Sequence, residues 1–148
     1  MFEVGIFQTN QHWRTTVLTD IDHVAIAVNN LEAAITYYKA AFGVEVEHRE
    51  VITSDLVEEA MIKIGTSYVQ LLCPTAADSP VAKFLEKRGE GLHHIGYRVT
   101  NCKEALDRVK SQGFAVLDEV PRRGSRGTTV AFIHPKEALG TLIELVQP

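Results

Sequence analysis

The chain is 148 residues long, 45% hydrophobic, and carries a formal net charge of −4. That is material for one compact core rather than two, so a single domain over residues 1–148 is expected. The acidic balance speaks against nucleic acid or an anionic membrane surface as partner, and no apolar run approaches the roughly 18 residues of a membrane span. The first residues lack a basic stretch followed by an apolar one, which leads to the expectation of a soluble, cytoplasmic protein. Cys73 and Cys102 stand at no metal-ligand spacing and are expected to be reduced, ordinary residues.

Residues 1–18 contain Phe2, Ile6, Phe7, His12 and Trp13 in neither helical nor alternating order, and read as an N-terminal extension. From Ile21 to Val28, the set Ile21, His23, Ala25, Ala27 alternates with Val24, Ile26, Val28. This is a strand whose histidine faces away from its larger aliphatics. Asn30 stands where an N-cap belongs, Leu31, Ala34, Ile35, Tyr38 and Phe42 follow at helical spacing, and Gly43 occupies the expected left-handed end. Strands over Val44–Val51, Val57–Ile64 and Tyr68–Leu72 follow, the last two joined at Gly65-Thr66-Ser67. Residues 19–73 therefore read β-α-β-β-β. The linker 74–90 carries one short helix, with Ser79 as cap, Pro80 in its first turn and Gly89 after its end.

Residues 91–148 take the same course. A strand over 92–99 leads to a helix from Lys103 to Gln112 stopped at Gly113, then a strand over Phe114–Leu117. The basic loop Pro121-Arg122-Arg123-Gly124-Ser125-Arg126-Gly127 comes next, then strands over Thr129–His134 and Thr141–Val146. His94 lies 71 residues after His23, and the helical segments that follow keep the same offset. A self-similarity of that length points to a duplicated unit. The fold class expected is α+β: two paired β-α-β-β-β repeats forming one cupped, barrel-like sheet.

Duplication puts four polar residues in corresponding places: His23 and Gln70 in one half, His94 and Glu144 in the other. Gln70 and Glu144 each interrupt an apolar strand, where a polar group is costly unless satisfied. A lone histidine opening a strand is ordinarily a hydrogen-bonded core residue. Four such residues at equivalent positions are better explained by one divalent ion, and two imidazoles, an amide oxygen and a carboxylate suit Co²⁺, Zn²⁺, Mn²⁺ or Ni²⁺. Spacing alone leaves His93 and His94 both open. Aligning the repeats favours His94, because His93 then corresponds to Asp22 and is expected on the opposite face of its strand. His12, His48 and His134 have no repeat partner and are not expected to bind metal; His134 is expected to support the turn with Pro135.

The segments Ile21-Asp22-His23-Val24-Ala25, Glu59-Ala60-Met61, Val69-Gln70-Leu71-Leu72, Gly91-Leu92-His93-His94-Ile95, Phe132-Ile133-His134-Pro135-Lys136 and Leu142-Ile143-Glu144-Leu145 together resemble the methylmalonyl-CoA epimerases of the vicinal oxygen chelate superfamily. The resemblance covers roughly residues 20–147. It implies a metal held by His23, Gln70, His94 and Glu144, with Co²⁺ the first expectation and Zn²⁺, Mn²⁺, Ni²⁺ or Mg²⁺ admitted. It also implies proton abstraction and return at the carbon between a thioester and a carboxylate, through an enolate that the metal stabilises. Epimerisation needs an acid/base group on each face, and the resemblance offers Glu59 and Glu144. Glu59 shares its strand face with Val57 and Met61, although a solvated charge beside Glu58 is an equally ordinary reading of that position. The coenzyme A phosphates call for cations, for which Arg122, Arg123, Arg126 and Lys136 are the candidates.

Other functions on the same scaffold are a glyoxalase-like isomerase or lyase, a small-molecule-binding module and a ring-opening dioxygenase. The full set of four polar positions argues against the module, and Gln70 beside two histidines and a carboxylate argues against the iron dioxygenase. A homodimer is the default assembly.

Overall fold

The structure is a computed structural model, and it describes residues 16–148. The expectation for His12 and for most of the 1–18 extension lies outside the described residues. Among the described residues eight strands form one sheet: β1 (Asp20–Ala27), β2 (Val46–Ile52), β3 (Val57–Ile64), β4 (Ser67–Pro74), β5 (Gly91–Arg98), β6 (Arg122–Arg123), β7 (Thr129–Ile133) and β8 (Ile143–Gln147). Three helices accompany them: α1 (Leu31–Phe42), α2 (Pro80–Arg88) and α3 (Cys102–Ser111). The strand order β2-β3-β4-β1-β5-β8-β7-β6 reads identically outward from the β1/β5 junction. Each half joins its first strand in parallel to its last, β1 to β4 and β5 to β8, and the halves meet through the antiparallel β1/β5 pair.

Local chemistry repeats with the topology. Asn30 accepts from the Ala33 N–H at 2.9 Å, and Asn101, its equivalent, accepts from the Glu104 N–H at 3.0 Å. Each cap satisfies a helix-end donor and is worth about 1 kcal/mol. Gly43 closes α1 at φ 66, the left-handed position read from the sequence. The outer faces of the sheet bury these helices: α1 covers Ala60, Ile62 and Leu71, and α3 lays Cys102, Ala105 and Leu106 on Ala131 and Leu145. On the inner face Ala25, Ala27, Val57 and Leu72 meet Val81 and Phe84 of α2, so the linker helix closes one end of the cup. Fully burying an aliphatic such as Leu71 or Leu106 contributes about 2 kcal/mol.

Two expectations change. Phe114–Leu117 does not form a full strand; Val116 makes one bridge to Ile133, and β6 comes later as the two residues Arg122–Arg123. The break falls where the Asp118 carboxylate, rather than a strand carbonyl, accepts the Phe132 N–H at 2.8 Å. Second, His93 and Asp22 do not face away from the histidines beside them. Both sit at register shifts of the β1/β5 ladder, which pairs Ile21 with Tyr97 and His23 with Gly96, then Ala25 with His94 and Ile26 with Leu92. A bulge places two residues opposite one and turns the extra side chain, so strict alternation fails at these two positions.

Candidate metal centre and acid/base site

His23 and His94 come from the central strands and Glu144 from β8, and all three are buried. His23 Nε2 lies 3.0 Å from His94 Nε2, and each Nε2 lies 2.9 Å from the same Glu144 Oε2. Three lone-pair atoms about 3 Å apart have the spacing of donors set at right angles around one ion with bonds of about 2.1 Å. Gln70, on β4, is buried beside Glu59; its Nε2 donates to Glu59 Oε2, while its Oε1 has no hydrogen-bond partner among the described residues. A buried amide oxygen left bare is costly, and it supplies the fourth donor type that a divalent ion takes. The residues fit such an ion, and the His23, His94, Glu144 cluster is a divalent metal site.

The ladder explains why the donors converge. In β1/β4 the residue opposite Gln70 is Ala25, and in β5/β8 the residue opposite Glu144 is Gly96, its repeat equivalent. Gly96 also faces His23 across β1/β5, and a Cβ built on it would stand 2.2 Å from His23 Cε1. The glycine makes room for the imidazole.

Each imidazole is steered through its other nitrogen. Asp22 Oδ1 lies 3.5 Å from His23 Nδ1, and His93 Nδ1 lies 2.9 Å from His94 Nδ1, so the two bulges place equivalent partners behind equivalent histidines. Such contacts hold the ring through Nδ1 and aim Nε2 at the cluster. Burial works against a charge on His23, but its hydrogen bonds to Asp22 and Glu144 outweigh burial and push it up to about 9. Burial and the neighbouring His94 drive His93 down to about 4, so it is neutral and its Nδ1 is free to accept. Burial also works against the Glu144 carboxylate, yet the two histidines hold it far below the usual range.

Glu59 is completely buried on β3. Ser125 Oγ donates to its Oε1 and Gln70 Nε2 to its Oε2. Burial raises Glu59 above the ordinary value more strongly than these two donors lower it, and Glu50, paired opposite it on β2, adds to the rise. Glu59 also lies near His48 and Glu50, whose side chains are 3.0 Å apart. A cavity of about 190 Å³ opens beside the cluster, lined by Gln70, His93, His94, Ser125, Phe132 and Glu144 among others. That volume suits a small acyl group rather than a nucleotide.

The basic residues divide. Arg122 Nη1 lies 3.2 Å from Asp55 and its Nε 3.3 Å from Asp118, with its guanidinium 5.4 Å from the Phe132 ring centre. Arg126 grips Asp22 at 2.6 and 3.0 Å. Arg123 and Lys136 are exposed. His134 accepts the Lys136 N–H at 3.0 Å and so supports its turn. Both cysteines are free. Among the described residues no helix is long and apolar enough to cross a membrane. Sequence reasoning missed Ser125, Asp22, His93 and Gly96. The repeat carried a signal for three of them, since Gly96 corresponds to the small Ala25 and His93 to Asp22; Ser125 carried none.

A cupped, duplicated sheet with a buried His-His-Glu cluster at its centre defines a glyoxalase-type metal domain, and residues 22–132 match the Glyoxalase/Bleomycin resistance protein/Dioxygenase superfamily. Within it, the chain belongs to the methylmalonyl-CoA epimerase family. It is 37% identical over 128 residues to the human mitochondrial methylmalonyl-CoA epimerase, covering 86% of this chain and 73% of the human protein. It is 40% identical over 129 residues to an ethylmalonyl-CoA/methylmalonyl-CoA epimerase of Cereibacter sphaeroides, covering 86% and 96%. A solved methylmalonyl-CoA epimerase in complex with methylmalonyl-CoA and NH4+ superposes with a TM-score of 0.86 at 45% identity, covering 88% of this chain and 94% of that one.

Proposed function

We propose that this protein epimerises methylmalonyl-CoA at C2, with His23, Gln70, His94 and Glu144 as metal ligands and Glu59 and Glu144 as the acid/base pair. The observation that carries the reading is the buried Glu59 carboxylate, held by the amide of Gln70, which lines the same cavity as His94 and Glu144. The ion, with Co²⁺ the first candidate and Zn²⁺, Mn²⁺, Ni²⁺ or Mg²⁺ admitted, supplies a Lewis acid for the negative charge that builds on the thioester oxygen.

The chain's own residues do the rest. Glu59, raised by burial, is a stronger base than a solvated carboxylate, and Ser125 and Gln70 hold both of its oxygens so that its lone pairs are aimed. It serves one face of C2 and Glu144, on β8, the other. In each direction one of the two takes the C2 proton as a carboxylate while the other, in its protonated form, returns one, so the pair ends with its proton exchanged between them. The apolar walls of the cavity, Leu72, Val130 and Phe132, exclude water from the carbanionic carbon. Arg123 and Lys136 are the exposed cations left to meet coenzyme A phosphates, because Arg122 and Arg126 are already paired. The proposed assembly is a homodimer in the cytoplasm.

Proton NMR of methylmalonyl-CoA in D₂O with Co²⁺-loaded protein tests the reading. Enzyme-dependent exchange of the C2 hydrogen, lost on chelation and lost in Glu59→Gln with metal retained, is the expected result. Bound metal with no exchange above background refutes it in favour of a glyoxalase-type reaction.

A further inference from the structure

Arg126 entered as a candidate for a coenzyme A phosphate, but its surroundings assign it another task. It belongs to the second repeat yet reaches across the cup into the first, where one Nη2 meets both oxygens of Asp22 at 2.6 and 3.0 Å. Its guanidinium carbon lies 4.7 Å from the centre of the Tyr68 ring, and Tyr68 is the residue paired with His23 in β1/β4. Its Nε is buried with no acceptor among the described residues. A side chain 22% exposed, stacked and paired in this way is not a cation waiting for a phosphate.

Its backbone is equally committed. Arg126 has φ 55 and ψ 26, a left-handed conformation that costs a side-chain-bearing residue about 1 kcal/mol or more. The strain is held from three sides: the Arg126 N–H donates to Glu50 Oε2 at 3.0 Å, the Thr128 N–H to Ser125 O at 3.0 Å, and the Thr128 hydroxyl to the same carbonyl at 2.7 Å. Ser125, in the same turn, donates its hydroxyl to Glu59. One residue therefore ends in two places, with its head on the carboxylate behind His23 and its backbone in the loop that holds Glu59.

We infer that Arg126 is a positioning residue that sets metal ligand and base together, acting on His23 through Asp22 and on Glu59 through Ser125. The inference rests on the proposed metal site and reaction. Asp22 is 1% exposed, and its other cation, Arg98, stands back at 3.6 Å. Without Arg126 the bulged carboxylate loses its short ion pair and has reason to leave His23 for solvent. A partner behind a metal-bound histidine is worth roughly 10–100-fold in metal affinity.

The test is Co²⁺ titration of the purified protein and its Arg126→Ala variant by calorimetry and visible absorption, with kcat and KM for C2 hydrogen exchange of methylmalonyl-CoA and its 3′-dephospho form. The expected result is a Co²⁺ affinity roughly 10–100-fold weaker, an altered Co²⁺ absorption spectrum, partial recovery in Arg126→Lys, and a kcat that stays low at saturating metal. Unchanged affinity and spectrum, with a higher KM confined to the phosphate-bearing substrate, overturn the inference and return Arg126 to phosphate binding. If Arg126→Ala does not fold, Arg126→Gln keeps the stem on Tyr68 and is read by the same outcomes. Should the unaltered protein bind Co²⁺ yet exchange no hydrogen, the proposed reaction fails, and the titration still decides the role of Arg126. Absence of Co²⁺ binding by the unaltered protein overturns both.

Discussion

Adding one methyl group at Gly96 should disable the metal site without replacing any residue of it. The Cβ of Gly96→Ala would lie 2.2 Å from His23 Cε1, 2.6 Å from Nδ1 and 2.7 Å from Nε2. Restoring an ordinary contact of 3.4 Å requires the ring to retreat by about 1.2 Å, whereas metal–ligand distances tolerate about 0.2 Å. His23 is enclosed by Asp22, His94 and Glu144, so the alternative is to spread the β1/β5 pair, an overpacking cost of about 1–3 kcal/mol. Gly96 is not among the positive-φ residues, so the penalty is steric and not conformational. Calorimetric Co²⁺ titration should show affinity at least 100-fold weaker, beyond the roughly 10–100-fold of an outer-shell change. The metal-free melting temperature should fall by roughly 3–10 °C. Ala25→Gly, the mirror change opposite His94, serves as control: it should cost about 0.5–1 kcal/mol and leave metal affinity intact. A Gly96→Ala protein that binds Co²⁺ within threefold of the unaltered protein would refute the view that this glycine exists to seat His23.

Ser125→Ala removes a donor that favours the Glu59 carboxylate, so Glu59 should rise further and the acid limb of the kcat/KM–pH profile should move to higher pH; an unmoved limb contradicts the assignment of Glu59 as base. In the metal-free protein, His23 is raised to about 9, so the stability it contributes is complete below about 6.5 and is lost as pH rises through 9. Urea unfolding of chelated protein between pH 6 and 10 should show this decline, and calorimetry near pH 7 should show proton release on Co²⁺ binding. Metal at a hundredfold excess over its Kd should stabilise by about 2.7 kcal/mol, a rise of roughly 5–10 °C in Tm that chelation abolishes. Arg123→Glu with Lys136→Glu should raise KM for methylmalonyl-CoA several-fold and leave kcat unchanged; an unchanged KM removes them from phosphate contact.

The duplication made much of this legible. His23, Ala25 and Ala27 alternate with Val24, Ile26 and Val28 because β1 carries the cup on one face and α1 on the other, and the sequence shows that alternation directly. Gln70 and Glu144 could be matched because polar residues stand out inside apolar strands. Asp22 and His93 were misplaced because a bulge is a property of the ladder, requiring both strands to be seen together. Ser125 and Arg126 were hidden for a related reason: their partners lie 66 and 104 residues away, in the other repeat, and a loop rich in arginine looks like solvated charge when read alone.

The repeat is broken chemically at one position, where Gln70 corresponds to Glu144, and the asymmetry suits the buried Glu59 beside it. Glu59, Glu50 and Glu144 already share the cup, and the first is raised by its two carboxylate neighbours as well as by burial. A carboxylate at position 70 would be acceptor-only. It would withdraw the donor that now holds Glu59 Oε2 and add a like charge beside it. An amide solves both problems, offering N–H to Glu59 while its Oε1 stays unpaired among the described residues. Two carboxylates whose surroundings push them in opposite directions, Glu144 down and Glu59 up, are thereby kept distinct in role. Gln70→Glu should bind Co²⁺ at least as tightly as the unaltered protein, because the added charge favours the cation. Its exchange rate at pH 7 should nevertheless fall, with the acid limb displaced upward by about one unit or more. Tight metal binding with an unshifted pH profile would show that the Gln70 amide serves the ion alone.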